Sequence, residues 1–456
     1  MEIKEVYDLY KELLDKEIEV KGWIRRHRKQ KEIGFIDLSD GTCFKKIQIV
    51  YDKKTKDFDS ITRIHFGSSI KVIGVLVASP GQDQEFELKA KKIVLIGDCS
   101  KDYPIQPKEH SREFLRDFAY LRPRTELFQA VFRVRSVLSI AIHEYFQAHG
   151  YLYLHAPIFT ASDCEGAGEM FQVTTQDLDE IAKKGKTSYE EDFFGKKVGL
   201  SVSTQFEAET FAQCFSKVYT FGPTFRADKS HTPYHVAEFW QIEPEVAFCD
   251  LEKIMDIAEE LVKFVIKYTL DHAKDEIKYL DSYVESGLIE RLTQVLACKF
   301  KRITYKECID ILKKSDKTFE FKPEYGADIA KEHEKYLTDY FGCPFFLTMW
   351  PKELKAFYMK QLPDQTVAGA DLELPGIGEV FGMSQREDDL VKLIARMREL
   401  DMKVEDYEWY LKLREYGTCE RSGFGIGFER LLMYITGIEN IRDVIPYPRT
   451  EKNCDY

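Results

Sequence analysis

Three segments of this 456-residue chain hold residue types whose spacing could do chemistry. In the first, Phe225-Arg226-Ala227-Asp228 is followed by a polar loop with His235 and then by Phe239. An arginine between two β-rich runs presents a planar fork that grips a phosphate at two points. An aromatic on the returning strand offers a face on which a base can stack. In the second segment, Gly423-x-Gly425-x-Gly427 runs into Phe428-Glu429-Arg430. Alternating glycines in a strand let another group come close to the backbone. Arg430 then stands at a helix start, facing whatever fills that space. The third segment is Asp371-x7-Glu379-x6-Arg386. Two carboxylates flanking a Pro-Gly turn can share a divalent cation, as magnesium on phosphates requires. Arg386 can bind a carboxylate or an amide carbonyl. Each segment also has a plain alternative: a surface ion pair, a glycine-relieved core strand, and a hairpin with ion-paired ends.

The elements that must position these residues follow from periodicity. From Glu126 to Gly150 apolar residues recur at helical spacing, and the glycine is a plausible stop. A strand Tyr151-Leu-Tyr-Leu-His-Ala-Pro-Ile-Phe159 follows. β-rich runs occupy residues 195–248, helix-rich charged sequence 251–340, and strands return at 343–350, 371–381 and 421–428. The last of these opens into an apolar helix. Such a mixture fits an α+β domain on an antiparallel sheet better than a doubly wound parallel one. Ahead of it, residues 17–97 show five alternating or β-branched runs broken by Gly, Asp or Ser turns, the pattern of a small closed barrel of the OB-fold type. The expected organisation is a barrel over 1–105, a hinge over 106–125 and a second domain over 126–456, with a helical insertion at about 275–340.

Charge is unevenly spread. The chain carries −12 overall, yet residues 1–110 hold 21 of its 66 Lys+Arg and only 19 of its 78 Asp+Glu. Lys21 to Lys31 collects six cations, Arg25, Arg26 and Arg28 among them, and no acid. A phosphate backbone would favour that stretch, and so would a solvated edge strand. No apolar run approaches the ~20 residues of a membrane span. The charged stretch Met1 to Lys16 lacks an apolar signal core, which points to the cytoplasm. Ten scattered cysteines form no C-x-x-C pair, as expected of reduced, mostly buried thiols.

Taken together behind a small barrel, the three segments resemble the class II aminoacyl-tRNA synthetases, most of all the subclass for aspartate, asparagine and lysine. The resemblance covers nearly the whole chain. Pro157 after the long helix is similar to the family's first motif, which forms its dimer interface. FRAD is similar to the second motif, F-R-x-E, and Gly423 to Arg430 matches the third, G-x-G-x-G-x-E-R. Within the subclass, ASDCEGAGEMF, HVAEFWQIEPE, LPGIGEV, SQRE and NIRDVIPYPRT resemble the asparagine enzymes of compact bacterial type.

The resemblance implies ATP-dependent activation of L-asparagine to its adenylate and transfer to tRNA(Asn) by a homodimer. It implies that Arg226 grips the α-phosphate and Arg430 the γ-phosphate, and that Phe239 stacks on adenine opposite Arg430. Asp228, His235 and Gly427 complete the ATP site. Asp371 and Glu379 hold Mg2+, with Glu379 counted among the catalytic groups. Glu165 and Gln205 hold the substrate's α-amino group. In the barrel, Phe35 and Gln48 stack on and hydrogen-bond the central anticodon uridine, with Arg25 and Arg26 nearby. Side-chain choice has its own argument. Aspartate enzymes carry Q-x-x-K, whose lysine meets the substrate carboxylate. Here the stretch ends in Ala208, so Arg386 can donate to an amide carbonyl while Glu243 accepts from the amide nitrogen.

Several positions depart from the pattern: Thr204, Asp228, Tyr234, Met383, Glu420 and Arg421. Tyr234 replaces a cation near the ATP tail, and Arg421 is a candidate to restore it. Rival readings are a non-discriminating aspartyl-tRNA synthetase, an asparagine synthetase-like paralogue and an inactive RNA-binding relative. The missing lysine at 208, the barrel and the intact Arg226, Arg430, Asp371 and Glu379 argue against them in turn.

Overall fold

Alternation between Glu17 and Gly97 becomes five strands in the computed structural model, which describes residues 1–81, 84–164, 170–230 and 232–456. The chain divides into two compact units, Met1–Ala130 and Val131–Tyr456. The stretch 106–125 lies in the first.

In the first unit β1 (Glu17–Lys29), β2 (Ile33–Ser39), β3 (Ile47–Asp52), β4 (Ser69–Ala78) and β5 (Phe86–Gly97) close into a barrel ordered β1-β2-β3-β5-β4. Period-two alternation turns Val20, Ile24, Ile36, Leu38, Ile70, Val72 and Leu76 into its core. This is the OB-type barrel expected from the sequence. An unexpected helix, Ile3–Leu13, lays Ile3 and Val6 against the same core. His27 is drawn partly inside, its Nδ1 at 3.1 Å from the Ile64 carbonyl and its Nε2 at 2.7 Å from the Tyr51 hydroxyl.

The helix Glu126–Ala148 runs from the end of the first unit into the second and ends two residues before Gly150, whose φ of 75° lies in the left-handed region. The strand expected over 151–159 shrinks to β6 (Leu152–Tyr153) and β7 (Phe159–Thr160), because Pro157 lies between them without an N–H to give. β7 joins β8 (Gln172–Val173) and β9 (Val198–Leu200) in a small sheet. The main sheet adds β10 (Lys217–Phe225), β11 (Glu238–Ala247), β12 (Lys301–Thr304), β13 (Phe345–Pro351), β14 (Thr366–Leu374), β15 (Gly378–Gln385) and β16 (Arg421–Gly427). Its order is β12-β13-β14-β15-β16-β11-β10-β6. The two outermost pairs are parallel and the pairs between them antiparallel. The helix Leu251–His272 covers β14, β15 and β16 with Ile254, Leu261, Val262 and Val265. Short helices lie between Lys274 and Phe341, interrupted by β12.

Candidate active site

Period-two geometry on three neighbouring strands builds the site. On β11, Phe239, Gln241, Glu243 and Glu245 lie two residues apart and share a face. β16 runs antiparallel beside them, pairing Glu245 with Gly423 and Gln241 with Gly427. Of the three glycines, Gly423 is required by this approach. A Cβ at Gly423 would stand 2.1 Å from Glu245 Oε1. β15 lies on the other side of β16 and ends next to Arg386.

These strands wall a cavity of about 330 Å3. Arg226, Asp228, His235 and Phe239 line it from the β10–β11 side, and Gly427 and Arg430 from β16 and the helix after it. Asp371, Glu379 and Arg386 line it from β14 and β15, and Gln205 and Glu243 complete it. Groups more than 200 positions apart in sequence thus share one space. Glu165 lies outside the described residues. Arg226 lies over the Phe239 ring, 5.4 Å from its centroid. Arg430 donates to the Glu379 carbonyl at 3.4 Å. The neighbouring Glu429 also reaches the cavity wall, accepting from Trp240 N at 3.0 Å and from Arg135 at 2.8 Å. Burial lowers the pKa of His235, and the cations of Arg430, Arg226 and Lys331 add to the fall against Asp228. Arg226 and Arg430 bring two guanidinium groups to this end of the cavity, where they can hold a polyphosphate.

Asp371 and Glu379 converge above Gly382. A Cβ there would stand 3.7 Å from Glu379 Oε1 and 3.8 Å from Asp371 Oδ1. Burial, with help from Glu379 and against Lys355, pushes the Asp371 carboxyl up to about 7. Lys355 donates to Asp371 Oδ2 at 2.5 Å. Among the described residues no group of three His, Cys, Asp or Glu side chains forms a complete metal cage. Two carboxylates with the remaining positions left to water or phosphate are how magnesium is usually held, so the donor set fits that ion.

At the other end the charges are buried and paired. Arg386 grips Glu245 through Nε and Nη2 and donates from Nη1 to Ser384 Oγ at 2.7 Å. Burial opposes the Arg386 charge, but Glu245 raises its pKa further above the usual arginine value. Glu243 accepts from Ser203 Oγ on one oxygen, and from Thr204 Oγ1 and Thr204 N (2.8 Å) on the other. Arg421 does not supply the cation missing at Tyr234. It is fully buried and paired with Glu209 at 2.8 Å, away from the cavity lining.

The barrel holds a second cluster. Arg28 lies over Phe35 at 5.3 Å and donates to Gln48 Oε1 at 2.9 Å, while Gln48 Nε2 donates to Glu87 at 3.2 Å. Arg26 is exposed on β1. Arg25 sits at a break in the β1–β2 register and turns to the Arg124 carbonyl at 3.2 Å, apart from the Phe35 group.

A family model of class II tRNA synthetases (D, K and N) matches residues 111–451. The chain belongs to the class II aminoacyl-tRNA synthetases, in the group for aspartate, lysine and asparagine. An OB-fold nucleic acid binding domain model matches residues 18–96 of this synthetase. The chain is 54% identical to the asparagine–tRNA ligase of Acholeplasma laidlawii over 442 residues, which cover 96% of each protein. It is 52% identical to the asparagine–tRNA ligase of Clostridium botulinum over 458 residues, covering 100% of this chain and 99% of that one. Among solved structures it is similar to asparaginyl-tRNA synthetase from Pyrococcus horikoshii complexed with asparaginyl-adenylate. The TM-score is 0.85 at 33% identity, over 99% of this chain and 98% of that one.

Sequence reasoning did not single out Lys355, Glu245, Glu209, Ser203 or Glu87 for this synthetase. Each acts through a partner far along the chain. The period-two spacing of Glu243 and Glu245 is the one sequence signal that could have found any of them.

Proposed function

We propose that this synthetase is an asparagine–tRNA ligase, converting L-asparagine and ATP to asparaginyl-adenylate and diphosphate and then charging tRNA(Asn). One observation carries the reading. Arg226 and Arg430 share a cavity whose other end offers an amide-sized pair of partners, Arg386 and Glu243, and no lysine at position 208.

The substrate carboxylate attacks the α-phosphorus in line, the bond to the β-phosphate oxygen breaks, and diphosphate leaves. The terminal ribose hydroxyl of the tRNA then attacks the carbonyl carbon and AMP leaves. Neither step needs a protein nucleophile, so the chain contributes positioning and charge stabilisation. Arg226 holds the α-phosphate, where charge builds up during attack, and Arg430 holds the far end of the triphosphate. Phe239 carries the adenine, with Asp228, His235 and Gly427 beside it. Asp371 and Glu379 would hold magnesium, which neutralises polyphosphate charge when bound. Gln205, together with Glu165, holds the α-ammonium.

Side-chain selection follows from charge. Around the amino-acid end, Glu209, Glu243 and Glu245 stand against Arg386, Arg414 and Arg421. Glu207 lies near as well; burial and Glu243 push its carboxyl up. Every described cation there already has a carboxylate. A neutral amide adds no charge, whereas aspartate would add an unpaired one. In the barrel, Phe35 and Gln48 receive the central anticodon base, with Arg26 toward the phosphates. The working unit is a cytoplasmic homodimer.

Charging of tRNA(Asn) with labelled asparagine, by the wild type and by Arg430→Ala, tests the reading. The wild type charges, and the variant loses activity by at least about 100-fold, the usual effect of removing one preorganised charge partner. A variant as active as the wild type would place the triphosphate elsewhere.

A further inference from the structure

Gln205 presents an amide whose two ends are chemically opposite, one an acceptor and the other a pair of donors. Its surroundings decide which end meets a ligand. Gln205 Nε2 donates to Glu209 Oε1 at 3.1 Å. Glu209 is completely buried behind the cavity wall, which it does not line, and sits at the centre of a hydrogen-bonded cluster. Tyr410 OH donates to the same Oε1 at 2.8 Å. Arg421 Nε donates to Oε2 at 2.9 Å and Arg414 Nη2 at 3.4 Å. Arg414 also donates to Tyr410 OH at 2.8 Å. Burial works against the Glu209 charge, but Arg421, Arg414 and Arg386 outweigh it and hold the carboxyl at about 2.

An ionised carboxylate only accepts. Turning the Gln205 oxygen toward it would set two acceptors against each other in a buried site, at the cost of an unsatisfied NH2 group. The NH2 end is therefore tied down on the Glu209 side, and the carbonyl oxygen is the end left for the cavity that Gln205 lines. An oxygen there accepts from an ammonium; an NH2 group would repel one.

We infer that Glu209 is a positioning residue for amino-acid binding: through the Gln205 amide it presents a carbonyl oxygen to the substrate's α-ammonium, and Arg414 and Arg421 keep it charged for that task. The inference rests on the reading of Gln205 as an α-ammonium contact. It also gives Arg421 a place in the fold. Its cation serves the amino-acid end from behind rather than the ATP tail.

The test compares two ligands on the full-length enzyme: asparagine, and succinamate, which is asparagine without its α-amino group. The readout is the inhibition constant of succinamate divided by the dissociation constant of asparagine, both taken from ATP–diphosphate exchange and equilibrium binding. In the wild type this ratio is large. In Glu209→Gln the new amide can donate to the Gln205 oxygen, so the Gln205 amide is free to turn. The ratio then falls by about tenfold or more, the worth of a hydrogen bond to a charged group. The pair Glu209→Gln/Arg421→Gln removes one charge of each sign and gives the same fall if the single variant folds poorly. A merely structural loss weakens both ligands equally, and an unchanged ratio in the two variants overturns the inference. A ratio near one already in the wild type overturns the Gln205 reading beneath it.

Discussion

Replacing Gly423 by alanine probes the buried end of the site with a single methyl group. That methyl would stand 2.1 Å from Glu245 Oε1 and 2.3 Å from Glu245 Cδ, well inside contact distance. Glu245 cannot simply step back. Its side chain is 1% exposed and both its oxygens are engaged by Arg386. Two responses are open. If the sheet spreads, overpacking costs about 1–3 kcal/mol of stability. If Glu245 swings off Arg386, a buried ion pair breaks at about 3–5 kcal/mol. Either way Arg386 is no longer held where a side-chain carbonyl can reach it. In ATP–diphosphate exchange, kcat/KM for asparagine should fall by about 100-fold or more, since each 1.36 kcal/mol is a factor of ten. Gly425→Ala is the control. Its methyl would meet nothing nearer than Gln241 Nε2 at 3.4 Å, so asparagine kinetics should change by less than about tenfold. A folded Gly423→Ala enzyme with asparagine kinetics within about threefold of the wild type would refute the tight Gly423–Glu245–Arg386 arrangement.

Two further predictions concern the barrel. Phe35→Ala should cut aminoacylation by roughly 10- to 100-fold, from about 1–3 kcal/mol of base stacking, while leaving asparagine-dependent diphosphate exchange intact. Loss of both activities would make Phe35 structural. Burial holds the His27 pKa at about 4, below its ordinary 6.5, outweighing the Ile64 carbonyl. His27 must therefore stay neutral in the folded barrel, and the proton is bound more tightly by the unfolded chain. The associated stability is fully present above about pH 6.5 and is lost as pH falls from there toward 4. With screening by solvent at this partly exposed site, about 1–2 kcal/mol is at stake. Denaturant unfolding of wild type and His27→Gln between pH 7 and 4.5 checks this, and parallel pH profiles would contradict it.

The strands were legible where one side chain in two is apolar. Ser69–Ala78, with Ile70, Val72 and Leu76 inward, reads as a strand by alternation alone. The helix Ile3–Leu13 was not, because its core contacts are two buried residues within a charged stretch. The helix Gln205–Phe215 was obscured for another reason. Its first residues were read as a binding motif, and the buried Phe206, Ala208 and Ala212 carry its fold. At the site, residues that face a ligand could be found, since arginine, carboxylates and glycines at fixed spacing imply phosphate chemistry. Residues that face other residues could not. Glu209 meets Arg414 and Arg421 only because β16 and the helix Glu408–Glu415 bring positions 205 and 212 residues away alongside it. Arg421 shows the limit most clearly: its type suggested a phosphate partner, and its burial gives it a carboxylate.

The most direct measurement is the rate of ATP–diphosphate exchange driven by asparagine against that driven by aspartate, on the same enzyme at saturating ATP. A second carboxylate about 4 Å from Glu243 costs roughly 4 kcal/mol at an effective dielectric of about 20, or close to three powers of ten. Asparagine should therefore win by about a thousandfold. Comparable rates with the two amino acids would mean that the paired charges around Arg386 do not select the amide.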